Sequence, residues 1–360
     1  MGAPKTDAMT DTDQDQSALL RNLWYLAVPG HHLSRGKHLK KLLLGEPLLL
    51  GRSNAGEVFA LRDICPHRAI PLSYGTFDGT NIECAYHGWR FGIDGVCTHV
   101  PSVTEGQTLD VSKIRVRSYP CKEVQGNLWV YMSDTATRLD EALPPIPEIP
   151  GIGDVPYKLA ESVEFLCAID HAVVGLMDPA HGPFVHRAWW WRTKKSVHEK
   201  AKAFGPSHLG FTMLRHRPSS NSRAYKILGG TPETQISFQL PGVRIEHVRA
   251  GKHQFCGLTA VTPIDAQRTE IHHLIYWTMP WLTLTRPLLR PFARAFLNQD
   301  RRVVERQQEG LAHQSRLMLI RDADTQARWY YQLKREFSLA REQARSFVNP
   351  VPEVTLRWRS

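Results

Sequence analysis

The chain has 360 residues, of which 42% are apolar, and a formal net charge of +10. That length favours two domains, and no uncharged apolar run approaches the roughly 20 residues that cross a bilayer. The basic balance comes without a dense Lys/Arg tract, a zinc-finger spacing or an RNA-binding aromatic signature, so nucleic acid is the weakest candidate partner. Four of the six cysteines stand singly, which is typical of free thiols in a cytoplasmic protein.

The chain divides by composition into four segments. Residues 1–20 are polar and are expected to form a disordered leader. Residues 21–135 contain short apolar or alternating runs bounded by turn residues, such as "EVFALRD" and "GNLWVYM", which predict an all-β domain. Residues 136–155 include "ALPPIPEIPG" and predict a Pro-rich linker. Residues 156–360 mix strands with helices at both ends and predict an α+β domain.

Two cysteine–histidine pairs lie in the first domain: Cys65 with His67, and Cys84 with His87. Such a set suits a structural zinc, a copper site or an iron–sulfur cluster. Zinc favours ligand pairs with two to four residues between them, whereas only one residue separates Cys65 from His67, which is too close for that turn. Two loops that each offer one Cys and one His suit a two-iron cluster, with two Cys on one iron and two His on the other.

Residues 65–87, followed by "HGWRFG", resemble the cluster-binding loops of Rieske proteins. Respiratory-chain Rieske proteins carry an extra Cys in each loop, which "CPHRAI" and "CAYHGW" lack, so the resemblance is to the oxygenase branch. It implies a [2Fe–2S] cluster held by Cys65, His67, Cys84 and His87. The alternative is two separate structural pairs.

A second candidate site lies in "GLMDPAHGPFVHRAWWW", where Asp178, His181 and His186 stand at i, i+3 and i+8. On a helix, Asp178 and His181 would share a face. Two neutral imidazoles and one carboxylate form the facial triad of non-haem Fe(II) oxygenases, with open positions for O2 and substrate. The pattern resembles the catalytic signature of Rieske non-haem iron oxygenases. That resemblance implies that His181 and His186 bind iron and that Asp178 bridges the two metal sites.

The sequence departs from that family at one place. Many members carry an Asn shortly before the Asp, where this chain has Val173, Val174 and Gly175. The iron ligands are unaffected, but the family's pocket shape and polarity cannot be carried over.

The carboxylate ligand is expected in "ARAFLNQDRRVVERQQEGL". A helix there places Asp300 on the side of four apolar residues, Phe296, Leu297, Val303 and Val304. An acidic residue on an apolar face is costly unless it is paired or metal-bound. The family places its third ligand in a late helix with a similar acidic-then-Gln-Gln pattern, which indicates Asp300. A capping or salt-bridged Asp300, with Glu305 as the ligand, is the alternative.

The resemblance implies an α+β fold in which an N-terminal all-β Rieske domain precedes a helix-grip (START-like) catalytic domain. It also implies a homotrimer that uses O2 to hydroxylate, demethylate or dealkylate a small hydrophobic substrate, whether aromatic, terpenoid or sterol-like. No GxGxxG or phosphate loop is present, so no bound flavin or NAD is expected. Electrons from NAD(P)H should arrive through a separate reductase, with or without a ferredoxin. The alternative function is a Rieske electron carrier without oxygenase activity.

Two further stretches bear on substrate and surroundings. The tryptophans at 189–191 and Arg192 follow His186, and packing is the commoner fate of such rings. An arginine recurs every four residues at Arg286, Arg290 and Arg294, with apolar residues between. That spacing could mark a surface for a membrane or a partner. Pro287 and Pro291, however, predict an interrupted helix, so we expect a solvated face.

Overall fold

The computed structural model describes residues 19–135, 143–186, 197–218, 231–313 and 317–360. The chain divides into two compact units, one formed by Arg21–Pro156 and one that includes Tyr157–Ser360. Residues 1–18 of the expected leader, the tryptophans at 189–191 and Arg192 lie outside the described residues. None of the described helices is long and apolar enough to cross a bilayer.

The described part of the first unit has eleven strands in three antiparallel sheets, so the expectation of an N-terminal all-β unit is confirmed. The sheet orders are β1-β11-β10, β2-β3-β4-β9 and β5-β6-β7-β8. The strands are β1 (Leu23–Pro29), β2 (Lys37–Leu43), β3 (Glu46–Arg52), β4 (Val58–Arg62), β5 (Thr76–Phe77), β6 (Asn81–Glu83), β7 (Arg90–Gly92), β8 (Cys97–His99), β9 (Ser118–Tyr119), β10 (Cys121–Val124) and β11 (Asn127–Met132).

The cysteine–histidine loops leave from the ends of short strands. The first loop follows β4, and the second joins β6 to β7. Cys65 and Cys84 are part of one buried cluster together with Leu72, Ile82 and Phe91. Packing in the hydrophobic core of the unit therefore holds both thiols in place.

The described part of the expected linker packs on the first unit. The Gln125 side chain donates to the carbonyls of Ile149 and Gly153 at 3.0 Å, and its carbonyl accepts from the Ile149 N–H at 2.9 Å. The Asp154 carboxylate accepts the Gln125 backbone N–H at 2.6 Å. Residues 143–156 thus run along the first unit as a bonded strap.

The second unit is built on one eight-stranded antiparallel sheet with the order β12-β18-β17-β16-β15-β14-β13-β19, which makes it the mixed α and β unit that was expected. Its strands are β12 (Leu159–Phe165), β13 (Glu199–Ser207), β14 (Gly210–His216), β15 (Glu233–Gln239), β16 (Val243–Ala250), β17 (His253–Pro263), β18 (Thr269–Trp277) and β19 (Val354–Arg359). The described helices are α1 (Ile169–Met177), α2 (Gly182–Val185), α3 (Arg286–Leu311) and α4 (Thr325–Glu342).

Two ion pairs fix the helices. Asp170, in the first turn of α1, accepts hydrogen bonds from Tyr330 (2.5 Å) and Lys334 (2.6 Å) on α4, and the three side chains are buried together. Glu161, a buried carboxylate on β12, pairs with Arg290 on α3. Both helices that frame the second candidate site are therefore bonded to neighbouring elements.

The prediction that prolines interrupt the arginine-bearing segment is wrong, because α3 is one helix of 26 residues. Pro287 occupies its second position, where an N–H would have no partner in the helix. Pro291 lies further in and removes one backbone hydrogen bond. The Arg290–Glu161 pair and the packing of α3 on β12 keep the helix continuous.

Candidate metal centres

The two cysteine–histidine loops have the same backbone turn. In the first, the Cys65 N–H donates to the Ile70 carbonyl and the Cys65 carbonyl accepts from the Ala69 N–H, both at 2.9 Å. In the second, Cys84 makes the same two bonds four and five residues on, with Gly88 (3.0 Å) and Trp89 (2.8 Å). Ala69 and Gly88 both have positive φ, 58° and 69°. The same type of backbone turn therefore presents each of the two ligand pairs.

The imidazoles of the two loops lie together, with ring centres of His67 and His87 4.5 Å apart. The Trp89 indole stacks on His67 at 4.5 Å with 4° between the planes. His87 is exposed, whereas both cysteines are buried. The site therefore has a thiol side in the core and an imidazole side toward solvent.

The loop residues fit a two-iron cluster. Both cysteines are free, and the buried Nδ1 of His67 has no hydrogen-bond partner, as expected of a metal-ligating atom. Burial, with the Cys84 thiol beside it, raises the pKa of Cys65 to about 11, so a thiolate at Cys65 requires a cation beside it. No three of these four side chains bring their ligand atoms within 4.8 Å of one another, as a single tetrahedral zinc would require.

A second constellation brings together His181, His186 and Asp300, whose ligand atoms all lie within 4.8 Å of one another. The two Nε2 atoms are 3.1 Å apart. The Asp300 Oδ1 atom is 3.1 Å from His186 Nε2 and 3.7 Å from His181 Nε2. Among the described residues, this is the one group of three His, Cys, Asp or Glu side chains whose ligand atoms lie so close together.

Chain elements distant in sequence form this group. His181 directly precedes α2 and His186 directly follows it, so one short helical turn spaces the two imidazoles. Asp300 comes from the middle of α3, next to buried Leu297 and Val304. Glu305, the alternative ligand, is not in the group and lies 3.9 Å from Arg301.

Three further side chains contact the two imidazoles, and of these the sequence had indicated a role only for Asp178, as a bridge between the metal sites. Gln299 Oε1 lies 2.9 Å from His186 Nδ1, and the Phe296 ring stacks on His186 at 3.8 Å. Asp178 Oδ2 lies 3.6 Å from His181 Nδ1. Gln299 stands next to Asp300 on the helix, and that adjacency was the available signal. Phe296 was noted only as an apolar residue.

Asp178 and His181 do not share a helix face, contrary to expectation. The helix α1 ends at Met177, and Asp178 has extended backbone angles. The carboxylate instead accepts the Ala180 N–H at 2.6 Å, which turns the chain so that His181 comes back toward it. Burial would raise the pKa of Asp178, but His181 and this N–H outweigh it and hold the pKa below its usual range. Asp178 is therefore an anion beside the imidazole.

The donor set fits mononuclear Fe(II), since two imidazoles and one carboxylate leave open positions. The buried His181 Nδ1 has no hydrogen bond within the unit. Burial alone would lower the pKa of His181, but Asp178 and Asp300 outweigh it and raise the pKa. Iron would replace the proton that this arrangement of two acids attracts.

Two cavities meet at this group. The larger, of about 810 Å³, lies between one face of the sheet and the first half of α3. Apolar side chains such as Phe255, Trp277 and Leu289 line part of it, and Arg244 and His273 add polar groups. The smaller, of about 370 Å³, is lined by Asp178 and lies toward α4. Space for a substrate therefore exists beside the three ligands.

The structure shows close packing at the departure near Asp178. A Cβ atom at Gly175 would come 3.2 Å from Val304 Cγ2, because α1 and α3 pack closely there. A larger residue at this position would require the Val304 side chain to shift by a few tenths of an ångström.

Comparison with known proteins gives matches to two domain families. Residues 23–120 match the Rieske [2Fe–2S] domain, and residues 175–334 match the vanillate O-demethylase oxygenase C-terminal domain. The fold and the two constellations thus define a protein with a cluster unit and a mononuclear-iron unit in one chain. The chain belongs to the Rieske non-haem iron oxygenase family, whose cofactors are a [2Fe–2S] cluster and one iron.

Curated relatives carry oxygenase names. The chain is 37% identical over 131 residues to 4β-methylsterol monooxygenase of Methylococcus capsulatus, covering 36% of this chain and 35% of that protein. It is 36% identical over 170 residues to the oxygenase component of dicamba O-demethylase of Stenotrophomonas maltophilia, covering 47% and 48%. It is 32% identical over 177 residues to chlorophyllide a oxygenase of Chlamydomonas reinhardtii, covering 48% and 25%. The matched segments thus span less than half of each relative.

Solved structures support the fold over most of the chain. Dicamba monooxygenase bound to dicamba superposes with a TM-score of 0.68 at 24% identity, covering 89% of this chain and 98% of that one. Pseudomonas putida CBB5 NdmA with caffeine gives a TM-score of 0.68 at 18% identity, covering 92% and 94%.

Proposed function

We propose that the protein is the terminal oxygenase component of a multi-component monooxygenase or dioxygenase system. The observation that carries this proposal is the convergence of His181, His186 and Asp300 beside an apolar cavity of about 810 Å³. An electron carrier needs a cluster but neither a second metal site nor a substrate cavity. The alternative, a Rieske carrier without oxygenase activity, leaves both unexplained.

In this proposal Cys65 and Cys84 bind one iron of the cluster, and His67 and His87 bind the other. His181, His186 and Asp300 bind the mononuclear iron, which when bound supplies the site for O2 activation. Gln299 and Phe296 orient the His186 ring so that Nε2 faces the metal. The apolar wall of the larger cavity excludes water and holds a hydrophobic substrate against the open side of the ligand group.

The substrate is proposed to be a small ring compound with a large apolar surface. The relatives named above act, by their names, on a methylsterol, on dicamba and on chlorophyllide a. Those molecules share apolar ring surface more than any functional group, and the lining by Phe255, Trp277 and Leu289 suits such surfaces. Hydroxylation or demethylation at a carbon close to the iron is the reaction proposed.

Electrons are proposed to come from NAD(P)H through a separate reductase, with or without a ferredoxin. Relatives are named as the oxygenase component or the iron–sulfur subunit of a system, which supports this arrangement. A net charge of +10 would speed the approach of an acidic carrier. The six free cysteines suit a reducing cytoplasm.

Asp178 is proposed as the electron bridge between subunits of a homotrimer, joining His181 of its own chain to His87 of a neighbour. Its support is the 3.6 Å contact with His181 Nδ1 and the anionic state of the carboxylate. Asp178→Asn is nearly isosteric but neutral, so both metal sites should stay loaded while product formation falls severely. In a single-turnover experiment with pre-reduced enzyme, wild-type reoxidation kinetics in this variant would remove Asp178 from the path.

Iron analysis tests the proposal as a whole. An oxygenase should hold about three irons per chain and a simple carrier about two. His186→Ala should keep the visible Rieske spectrum and lose one iron and turnover. An unchanged iron content in that variant would mean that the mononuclear site lies elsewhere.

A further inference from the structure

The short 3₁₀ helix before α3 (Pro280–Thr285) and the first half of α3 expose a continuous apolar face. Its members are 45, 85, 70 and 58% exposed, in the order Trp281, Leu284, Leu288 and Phe292. We call these four residues the Leu284 face. Side chains three apart align on a 3₁₀ helix and side chains four apart align on an α-helix, so the four form one row. A row of large apolar side chains this exposed marks an interaction site.

The backbone under this row is well anchored. Leu282 is buried on the opposite side, in a cluster that also contains Trp277 and Met279. The Trp277 indole N–H donates to Thr283 Oγ1 at 3.1 Å, and the Thr285 hydroxyl donates to the Leu282 carbonyl at 2.8 Å. The Leu284 face is therefore preformed, and binding would require no reordering of the chain.

The charge around the row has one sign. From Pro280 to Asn298 there is no Asp or Glu, while Arg286, Arg290 and Arg294 lie beside the apolar residues and are exposed. Arg290 pairs with Glu161, and its side chain remains 68% exposed. Exposed Trp and Leu bordered by arginines match the interfacial layer of a bilayer that contains anionic lipids, where apolar groups enter and guanidinium groups meet phosphates.

The row also borders the larger cavity. Phe292, Phe296, Leu289 and Ala293 line it from α3. The apolar surface is thus continuous from the exposed face to the cavity wall. A molecule dissolved in a bilayer would meet no polar barrier along these α3 side chains.

We propose that the Leu284 face docks the protein peripherally on an anionic lipid surface. The docking does not depend on the oxygenase function, because it is measured without turnover. If both hold, the hydrophobic substrate enters the cavity from the lipid phase.

Flotation of the purified full-length protein with vesicles tests the proposal. The protein should float with vesicles of phosphatidylcholine and phosphatidylserine, less with pure phosphatidylcholine, and less as salt rises. Leu284→Ser/Leu288→Ser should reduce the vesicle partition coefficient at least tenfold, since each leucine contributes roughly a tenfold gain in partitioning. Arg286→Gln/Arg294→Gln should weaken binding and flatten its salt dependence.

Matched controls separate docking from other causes. Leu109→Ser/Val348→Ser removes two apolar side chains of similar exposure, 50 and 67%, elsewhere in the chain and should float like wild type. All variants should keep the wild-type far-ultraviolet dichroism and visible spectrum. A wild-type protein that stays unbound with every vesicle overturns the proposal. The proposal is also overturned if the wild-type protein does not bind vesicles and the leucine variant loses self-association or carrier-protein binding. In that case the face would bind protein and not lipid.

Discussion

Gln299 is the residue whose role can be tested most directly from the geometry. Its Oε1 atom lies 2.9 Å from His186 Nδ1, and the imidazole is only 6% exposed. The amide oxygen requires a proton on Nδ1, which leaves the Nε2 lone pair free to face Asp300 and the metal. In Gln299→Leu the ring keeps its stacking on Phe296 but loses the group that selects this tautomer.

The magnitude follows from that one contact. Losing the partner of a metal-ligating histidine typically weakens metal binding by about 10- to 100-fold, which corresponds to about 1.4–2.7 kcal/mol. We expect Gln299→Leu to weaken Fe(II) binding within that range. Gln299→Glu should stay near wild type, because a carboxylate also accepts from Nδ1–H. The Rieske spectrum should not change in either variant.

The assay is an anaerobic Fe(II) titration, with a chelator competing, of protein that keeps its cluster and lacks mononuclear iron. Gln308→Leu is the matched control on the same helix, since the Gln308 amide donates only to the Val304 carbonyl at 3.4 Å. An Fe(II) affinity in Gln299→Leu equal to wild type, or equally weakened in Gln308→Leu, would refute the reasoning.

Three other predictions concern the two units. Cys84→Ser should abolish the visible cluster absorption and leave mononuclear iron bound, and a persisting Rieske spectrum would contradict the ligand assignment. Gly88→Ala should cost about 1–2 kcal/mol of unfolding free energy because φ is 69°, whereas Ala69→Gly should change it by less than about 1 kcal/mol; denaturation of the two holoproteins compares them. Lys334→Met should cost about 3–5 kcal/mol by leaving Asp170 charged and buried, and Asp170→Leu/Lys334→Met should recover most of it; a loss in the double variant equal to the sum of the losses in the two single variants would show that the pair is not coupled.

The second metal group shows what sequence could supply. An acidic residue among apolar neighbours pointed to Asp300, and the structure places it beside His181 and His186 although more than a hundred residues separate them. The ligand assignment itself remains a prediction. Local spacing misled at Asp178, because Pro179 follows it and the residue before a proline avoids helical angles. The contact with His181 exists, but a turn makes it and not a helix face.

Gln299 and the Leu284 face were not predicted, for different reasons. Gln299 reaches His186 across 113 residues, and its adjacency to Asp300 was a signal too weak to show which imidazole it would meet. The sequence shows arginines with apolar residues between them in this segment. Whether those apolar residues are exposed, however, depends on which side of α3 packs on the sheet. Prolines that suggested a broken helix are tolerated there because one of them lies where the helix needs no donor.

The two cluster loops have the same backbone turn although their sequences differ. Their spacings, Cys-x-His and Cys-x-x-His, differ, and only the second loop has a glycine at the left-handed position. Yet both loops close with the same bonds at the fourth and fifth residues. The shared turn points each thiol into the core, and the unequal spacing lets His67 and His87 meet at the surface, 4.5 Å apart. Because the imidazole side faces outward, we expect an electron acceptor to approach the unit on that face. A bridging Asp178 from a neighbouring subunit, as proposed above, would approach there.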